Sequence, residues 1–193
     1  MPWDWFSVYA PIYDPFLKIT RIAPSEALLA LADLRTHERI LDVGGGTGRI
    51  AAAAVGTVGE IVILDPCRAM LERGPRHPTI HRVRGGARQI PFGEATFDAI
   101  LCVDALHHIK EAQSAVAEMH RVLKPGGRVI VQEFDVRGWR GKLAAIFEHL
   151  FIDHSRFIAP ETLQDLFGST GIPGTSRRHS WLEYTFLGRK AEP

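Results

Sequence analysis

Apolar and polar positions along the chain keep two rhythms. Short apolar runs at residues 40–43, 61–65, 97–103 and 129–131 are too brief for helices, and several are apolar almost throughout, as strands buried on both faces are. Residues 80–84, with Ile80 and Val83 among polar neighbours, read as a further strand. Between them the spacing turns helical. Ala115, Val116, Met119 and Leu123 mark one face of a helix from Ala112, closed by Lys124, Pro125, Gly126 and Gly127. Met70 and Leu71 point inward from a short helix over residues 67–73 that Gly74 and Pro75 end. Leu17, Ile19, Ile22, Leu28, Leu29 and Leu31 predict helix ahead of the first strand, broken by Pro24 and resumed from a Ser25 cap. Leu143, Ile146, Phe147, Leu150 and Phe151 recur as an amphipathic stripe, residues 160–167 form another short helix, and residues 175–188 suggest two strands turning near Ser180. Alternating strands and helices predict an open, doubly wound α/β sheet.

One stretch breaks both rhythms. After Ile40, Leu41, Asp42 and Val43 come Gly44, Gly45 and Gly46, then Thr47, Gly48 and Arg49. A strand, a glycine turn and a helix N-terminus, with Thr47 placed to begin the helix, make a cradle of nucleotide size. The spacing is G-x-G-x-G, and Arg49 stands where a dinucleotide fingerprint has its third glycine, which disfavours NAD. Asp42 adds a sign to the cradle. A carboxylate repels a pyrophosphate but attracts the ammonium and sulfonium of S-adenosylmethionine (SAM). Asp65 ends the second strand about twenty residues on, placed to accept hydrogen bonds from ribose hydroxyls.

Composition narrows the picture. At 193 residues the chain is long enough for one domain and too short for two full ones. Lys and Arg number 23 against 22 acids, so no field steers the chain onto nucleic acid and a small acceptor is expected. Cys67 and Cys102 lie beside and within expected buried strands, which argues for a reducing, cytoplasmic setting rather than a disulfide framework. No apolar run approaches a bilayer's thickness.

Chemistry concentrates at strand ends. The fourth strand, 97–103, runs into Asp104, Ala105, Leu106, His107 and His108, and imidazole is the group best suited to proton exchange near neutral pH. His107 and His108 are therefore candidate bases, each also readable as a cap or a solvated side chain. His154 follows the 143–151 stripe and is a third candidate, and Glu133 ends the fifth strand. Asp98 reads as a structural cap. His77 and His81 stand four apart, but Pro75 and Pro78 oppose a helix there, so no metal is expected. Trp3, Trp5, Phe6, Tyr9, Tyr13 and Phe16 crowd the N-terminus, fit to cover an apolar acceptor, to sit at a membrane surface or to pack on the core.

Taken together, ILDVGGGTG, IVILDPCRAML, IPFGEATFDAILCVDALHHI and HRVLKPGGRVIVQEF resemble the class I SAM-dependent methyltransferases over residues 39–190. The run Tyr9-Ala10-Pro11-Ile12-Tyr13-Asp14 is similar to one in the ubiquinone and menaquinone biosynthesis C-methyltransferases. The resemblance implies a Rossmann-like, seven-stranded sheet with an antiparallel last strand. The expected domain has an N-terminal helical segment (1–34), a SAM-binding core (35–135) and substrate-side elements (136–193). SAM is then held by Asp42, Gly44, Gly45, Gly46, Gly48 and Asp65, with Gly86 and Ala87 near the adenine and Pro66, Met70 and Val103 completing the set. Tyr13 would close the pocket. The family commonly has an acid where this chain has Gly86, and one lost adenine contact weakens binding by about a kcal/mol. Methyl transfer is an in-line displacement in which the protein positions the nucleophile and excludes water. A catalytically silent SAM-binding regulator, an RNA or protein methyltransferase and a nicotinamide oxidoreductase are the rival readings.

Overall fold

A computed structural model describes residues 25–137, 156–178 and 183–192. Its elements are α1 (Ser25–Ala32), β1 (Arg39–Val43), α2 (Arg49–Ala53), β2 (Glu60–Asp65), α3 (Arg68–Glu72), β3 (Ile80–Arg84), β4 (Phe97–Val103), α4 (Ala112–Val122), β5 (Leu123–Phe134), α5 (Pro160–Gly168), β6 (Gly174–Arg178) and β7 (Glu183–Arg189). They build one seven-stranded sheet in the order β3-β2-β1-β4-β5-β7-β6. β1 to β5 pair in parallel, while β7 runs antiparallel to both β5 and β6. This is the Rossmann-like α/β architecture with an antiparallel last strand.

Strand pleat explains how a nearly all-apolar strand serves two cores. Successive side chains point to opposite faces. Ile40, Ile61, Ile63, Ala99, Leu101 and Ile130 join Leu28 and Ala32 of α1, Ile50 and Ala51 of α2 and Leu71 of α3. Leu41, Val62, Leu64, Ile100, Val129 and Val131 join Ala115, Val116 and Met119 of α4 and Leu163 and Phe167 of α5. Because β2 and β3 lie on one side of β1 and β4 on the other, the winding reverses between β1 and β4. A crevice opens there at the carboxyl ends, where open α/β sheets bind ligands.

Two local expectations are corrected. The N-cap of α2 is Gly48, left-handed at φ 72° and with no side-chain hydrogen bond, so Thr47 does not start that helix. Lys124 to Gly127 do not form a turn after α4. They lie inside β5, which begins at Leu123, and the pairing with β4 slips between Phe97 and Ala99. Gly126 at φ 70° and the crowding of Gly127 against the Lys124 and Asp98 carbonyls let the strand absorb that irregularity. His81 lies on β3, so the His77 and His81 pair does not share a helix. The N-terminal aromatics, the 143–151 stripe and the turn near Ser180 lie outside the described residues.

At the amino end of the sheet, charged groups are paired. Arg128 of β5 spans to Glu38 with both nitrogens, at 2.8 and 2.7 Å, and donates to the Ala32 and Asp33 carbonyls at 2.5 and 2.7 Å. Asp98 accepts from the Arg39 amide at 2.9 Å and Lys124 Nζ at 2.7 Å, the structural role expected of it.

Candidate functional site: the crevice over β1 and β4

The turn after β1 is pinned before it is opened. Gly44 and Gly45 donate their amides to the Leu64 carbonyl of β2, at 2.8 and 3.3 Å. A Cβ on Gly44 would sit 2.5 Å from Ala105 Cβ, and one on Gly45 would sit 2.5 Å from Asp42 Oδ2. These two glycines let the turn lie against the end of β4 and over the acid of β1. Gly48 packs on Ile63 and Pro75. Gly46 is different. Its φ is +55°, and among the described residues nothing lies within 4 Å of where its Cβ would be. The same open space surrounds Gly86, beyond β3. Asp65 stands near the turn, at the end of β2, accepting from the Gly46 amide at 3.0 Å and the Cys67 amide at 2.7 Å. A carboxylate has further lone pairs for a hydroxyl donor.

The remaining expected cofactor residues frame this space to different degrees. Pro66 is exposed, with its carbonyl accepting from Arg84 Nε at 3.1 Å. Met70 is buried with Cys67. Ala87 and Val103 are half-buried against opposite cores.

Two acids at the crevice floor carry unsatisfied oxygens. Asp42 is 1 % exposed, and its Oδ2 has no hydrogen-bond partner. Burial pushes its carboxyl up to about 7, opposed by Arg49 and helped by Asp65. Asp104 follows β4 in the left-handed region, φ 51°, with its amide donating to the Gln132 carbonyl at 2.9 Å. Its Oδ2 lies 3.7 Å from Arg49 Nη2, and its Oδ1 has no partner. Burial pushes it up to about 8. Glu133 and Glu183 add to that, while Arg49 and His107 oppose it.

Beyond Asp104 the chain makes a single 3-10 turn, Leu106–His108. His107 is fully buried, and its Nδ1 donates to Glu133 Oε2 at 2.5 Å. The other Glu133 oxygen accepts the Leu106 and His107 amides at 2.9 and 3.3 Å, so one β5 carboxylate fixes both the turn and the ring. The ring stacks on Phe157 at 5.2 Å and lies near Phe134. His108 sits 4.0 Å from it, and burial holds His108 down to about 3, with His107 adding to the effect. His108 stays neutral and is a weak base. His154 and Tyr13 lie outside the described residues. Glu133, Asp104 and Arg49 had no assigned role in the sequence. An acid closing an otherwise apolar strand was the available signal for Glu133.

With this geometry in view, a family model described as a methyltransferase domain matches residues 41–131, from β1 to β5. Those residues are a methyltransferase domain. The ubiquinone/menaquinone biosynthesis C-methyltransferase of Coxiella burnetii is 40% identical, over 52% of this chain and 44% of its own. A demethylmenaquinone methyltransferase of Beutenbergia cavernae is 34% identical, over 65% of this chain and 50% of its own. The chain spans about half the length of the curated relatives it matches. A SAM-dependent methyltransferase from Thermotoga maritima superposes with a TM-score of 0.79 at 22% identity, covering 97% of this chain and 99% of that one. The fold is that of SAM-dependent methyltransferases, and the matched domain together with that fold implies SAM as the cofactor. The residues fit it. Two open glycine positions, Gly46 and Gly86, flank the acid Asp65, and the floor beneath holds carboxylate oxygens of Asp42 and Asp104 with no hydrogen-bond partner among the described residues. Among the described residues, no helix is long and apolar enough to cross a membrane.

Proposed function

We propose that the chain transfers a methyl group from SAM to a small, flat, partly hydrophobic acceptor that must lose a proton in the reaction, such as the ring of a reduced quinone. The observation that carries this is the His107–Glu133 pair, a buried imidazole held by a carboxylate beside the cofactor cradle. In-line displacement from a sulfonium needs no base when the acceptor already has a lone pair. A hydroxylated ring becomes a strong carbon nucleophile only as its hydroxyl proton leaves. Glu133 fixes the imidazole with Nδ1–H toward itself, so Nε2 is the nitrogen that takes the proton. Phe134 and Phe157 supply flat apolar walls of the kind an aromatic ring stacks on. The similarity to ubiquinone/menaquinone and demethylmenaquinone methyltransferases supports the same acceptor class. SAM supplies the activated methyl group. Asp42, Gly46, Asp65 and Gly86 hold it, and the apolar walls exclude water from the path of attack.

The test is turnover with SAM and a short-chain demethylmenaquinol, read as S-adenosylhomocysteine and methylated ring. Wild type should turn over. His107→Gln should lose at least about a hundredfold in kcat, the usual worth of a positioned base. Glu133→Gln should shift the pH–rate profile. Tight SAM binding with no S-adenosylhomocysteine from any acceptor would instead make the chain a silent SAM-binding protein.

A further inference from the structure

The crevice holds more acid than the nucleoside half of a cofactor can use. We infer that Asp104 and Arg49 form a clamp for the zwitterionic amino-acid end of the cofactor, Asp104 taking its ammonium and Arg49 its carboxylate. The inference rests on SAM being the ligand and goes beyond the glycine motif, in which neither residue figures.

Strand order sets the direction in which the ligand lies. Gly86 follows β3, Asp65 ends β2, and the open Gly46 follows β1, so a nucleoside on these three occupies the β3-to-β1 side of the crevice. The next strand is β4. Anything that continues the ligand past the glycine turn arrives at Asp104 and Ala105, and Ala105 already lies against the turn at Gly44. Asp104 is held there in a backbone conformation that non-glycine residues seldom adopt, although Asp and Asn tolerate it best. Its side chain is 9 % exposed, and Oδ1 makes no hydrogen bond. A buried, unsatisfied carboxylate oxygen is destabilising unless a donor arrives. Arg49, the first residue of α2, places its guanidinium 3.7 Å from the other oxygen. An acid beside a guanidinium is the reverse image of an α-amino acid, whose ammonium and carboxylate are a similar distance apart. Each charge of the ligand then meets its opposite.

Charge count points the same way. Asp104 faces Glu133 of β5, Glu183 of β7, Arg49 of α2 and His107 of the 3-10 turn, and Arg49 also acts on Asp42 of β1. A ligand that brings an ammonium and a sulfonium relieves this surplus of acid. In the free protein, burial raises Asp42 to about 7 and Asp104 to about 8, so both carry protons in part of the population near neutral pH. A cationic ligand favours their ionised forms, so binding releases protons and affinity rises with pH through that range.

The experiment is calorimetry with three probes on wild type, Asp104→Asn and Arg49→Gln. SAM and S-adenosylhomocysteine carry the amino-acid end, and 5′-methylthioadenosine lacks it. Both substitutions should weaken SAM and S-adenosylhomocysteine at least tenfold and leave methylthioadenosine within about twofold. In buffers of different ionisation enthalpy at pH 7.5, wild type should release protons on binding SAM, and Asp104→Asn should release fewer. Equal loss of all three probes would mean a damaged cradle and overturn the clamp, as would unchanged SAM affinity, which would move Asp104 to the acceptor side. Loss for SAM alone would place Asp104 at the sulfonium and overturn it too. Failure of wild type to bind SAM would overturn the cofactor reading itself.

Discussion

The two ends of the sheet use the same side chains in opposite ways. Glu38, just before β1, and Asp98, at the start of β4, have their oxygens taken by Arg128, Lys124 and backbone amides, and those partners outweigh burial and hold both carboxyls below their ordinary range. Asp42 and Asp104, at the other ends of the same two strands, have oxygens with no partner, and burial raises both. Partners finish the structure at one end and are left for a ligand to supply at the other. Burial and charge alone do not separate the two kinds of acid. Satisfaction of each oxygen does.

Removing Arg128 should break the paired end most severely. Arg128→Ala leaves Glu38 in a crowded site without its cation and frees two backbone carbonyls, a loss of about 3–5 kcal/mol. Urea unfolding gives the value, and a change under about 1 kcal/mol would remove the contrast. The open end should respond next, and unevenly. Gly45→Ala drives a Cβ into Asp42 and Ile63 and should lower stability by about 1–3 kcal/mol. Gly46→Val meets nothing among the described residues, so SAM binding should fail in calorimetry while unfolding remains cooperative. Normal SAM binding by Gly46→Val would misplace the cradle.

A smaller effect concerns pH. Asp42 and Asp104 have folded-state values raised above 3.8, so their contribution is complete below that pH and is lost as pH rises through about 7 and about 8. Unfolding without cofactor should therefore show stability falling from pH 5 to pH 9, and Asp42→Asn should remove at least about 1 kcal/mol of that fall. The lowered acids at the other end are fully ionised throughout this window and leave it clear. Least affected should be Asp98→Asn, whose half-exposed partners limit the loss to about 1 kcal/mol. A loss there as large as that of Arg128→Ala would erase the distinction between buried and half-buried pairs.

Much of this molecule is legible in its residues. Periodicity located β4 closely because a strand buried on both faces is apolar almost throughout, and α4 because its buried residues recur at helical spacing. Gly44 to Gly48 marked the turn because several of its positions take positive φ or lie too close to neighbours for a Cβ. Asp42 and Asp65 were readable from their positions at strand ends. Sequence by itself determined the α/β winding and the glycine turn, and through Asp42 it carried the expectation of a cationic ligand there. It also offered three histidines as equals. Tertiary structure alone distinguished His107 from His108, because the Glu133 that orients one ring comes from another strand, and because burial lowers the other. It likewise decided which glycines press on the protein and which face open space, and which acids of β1 and β4 have their oxygens filled. Those properties depend on contacts between residues far apart in the chain, and local pattern carries no record of them.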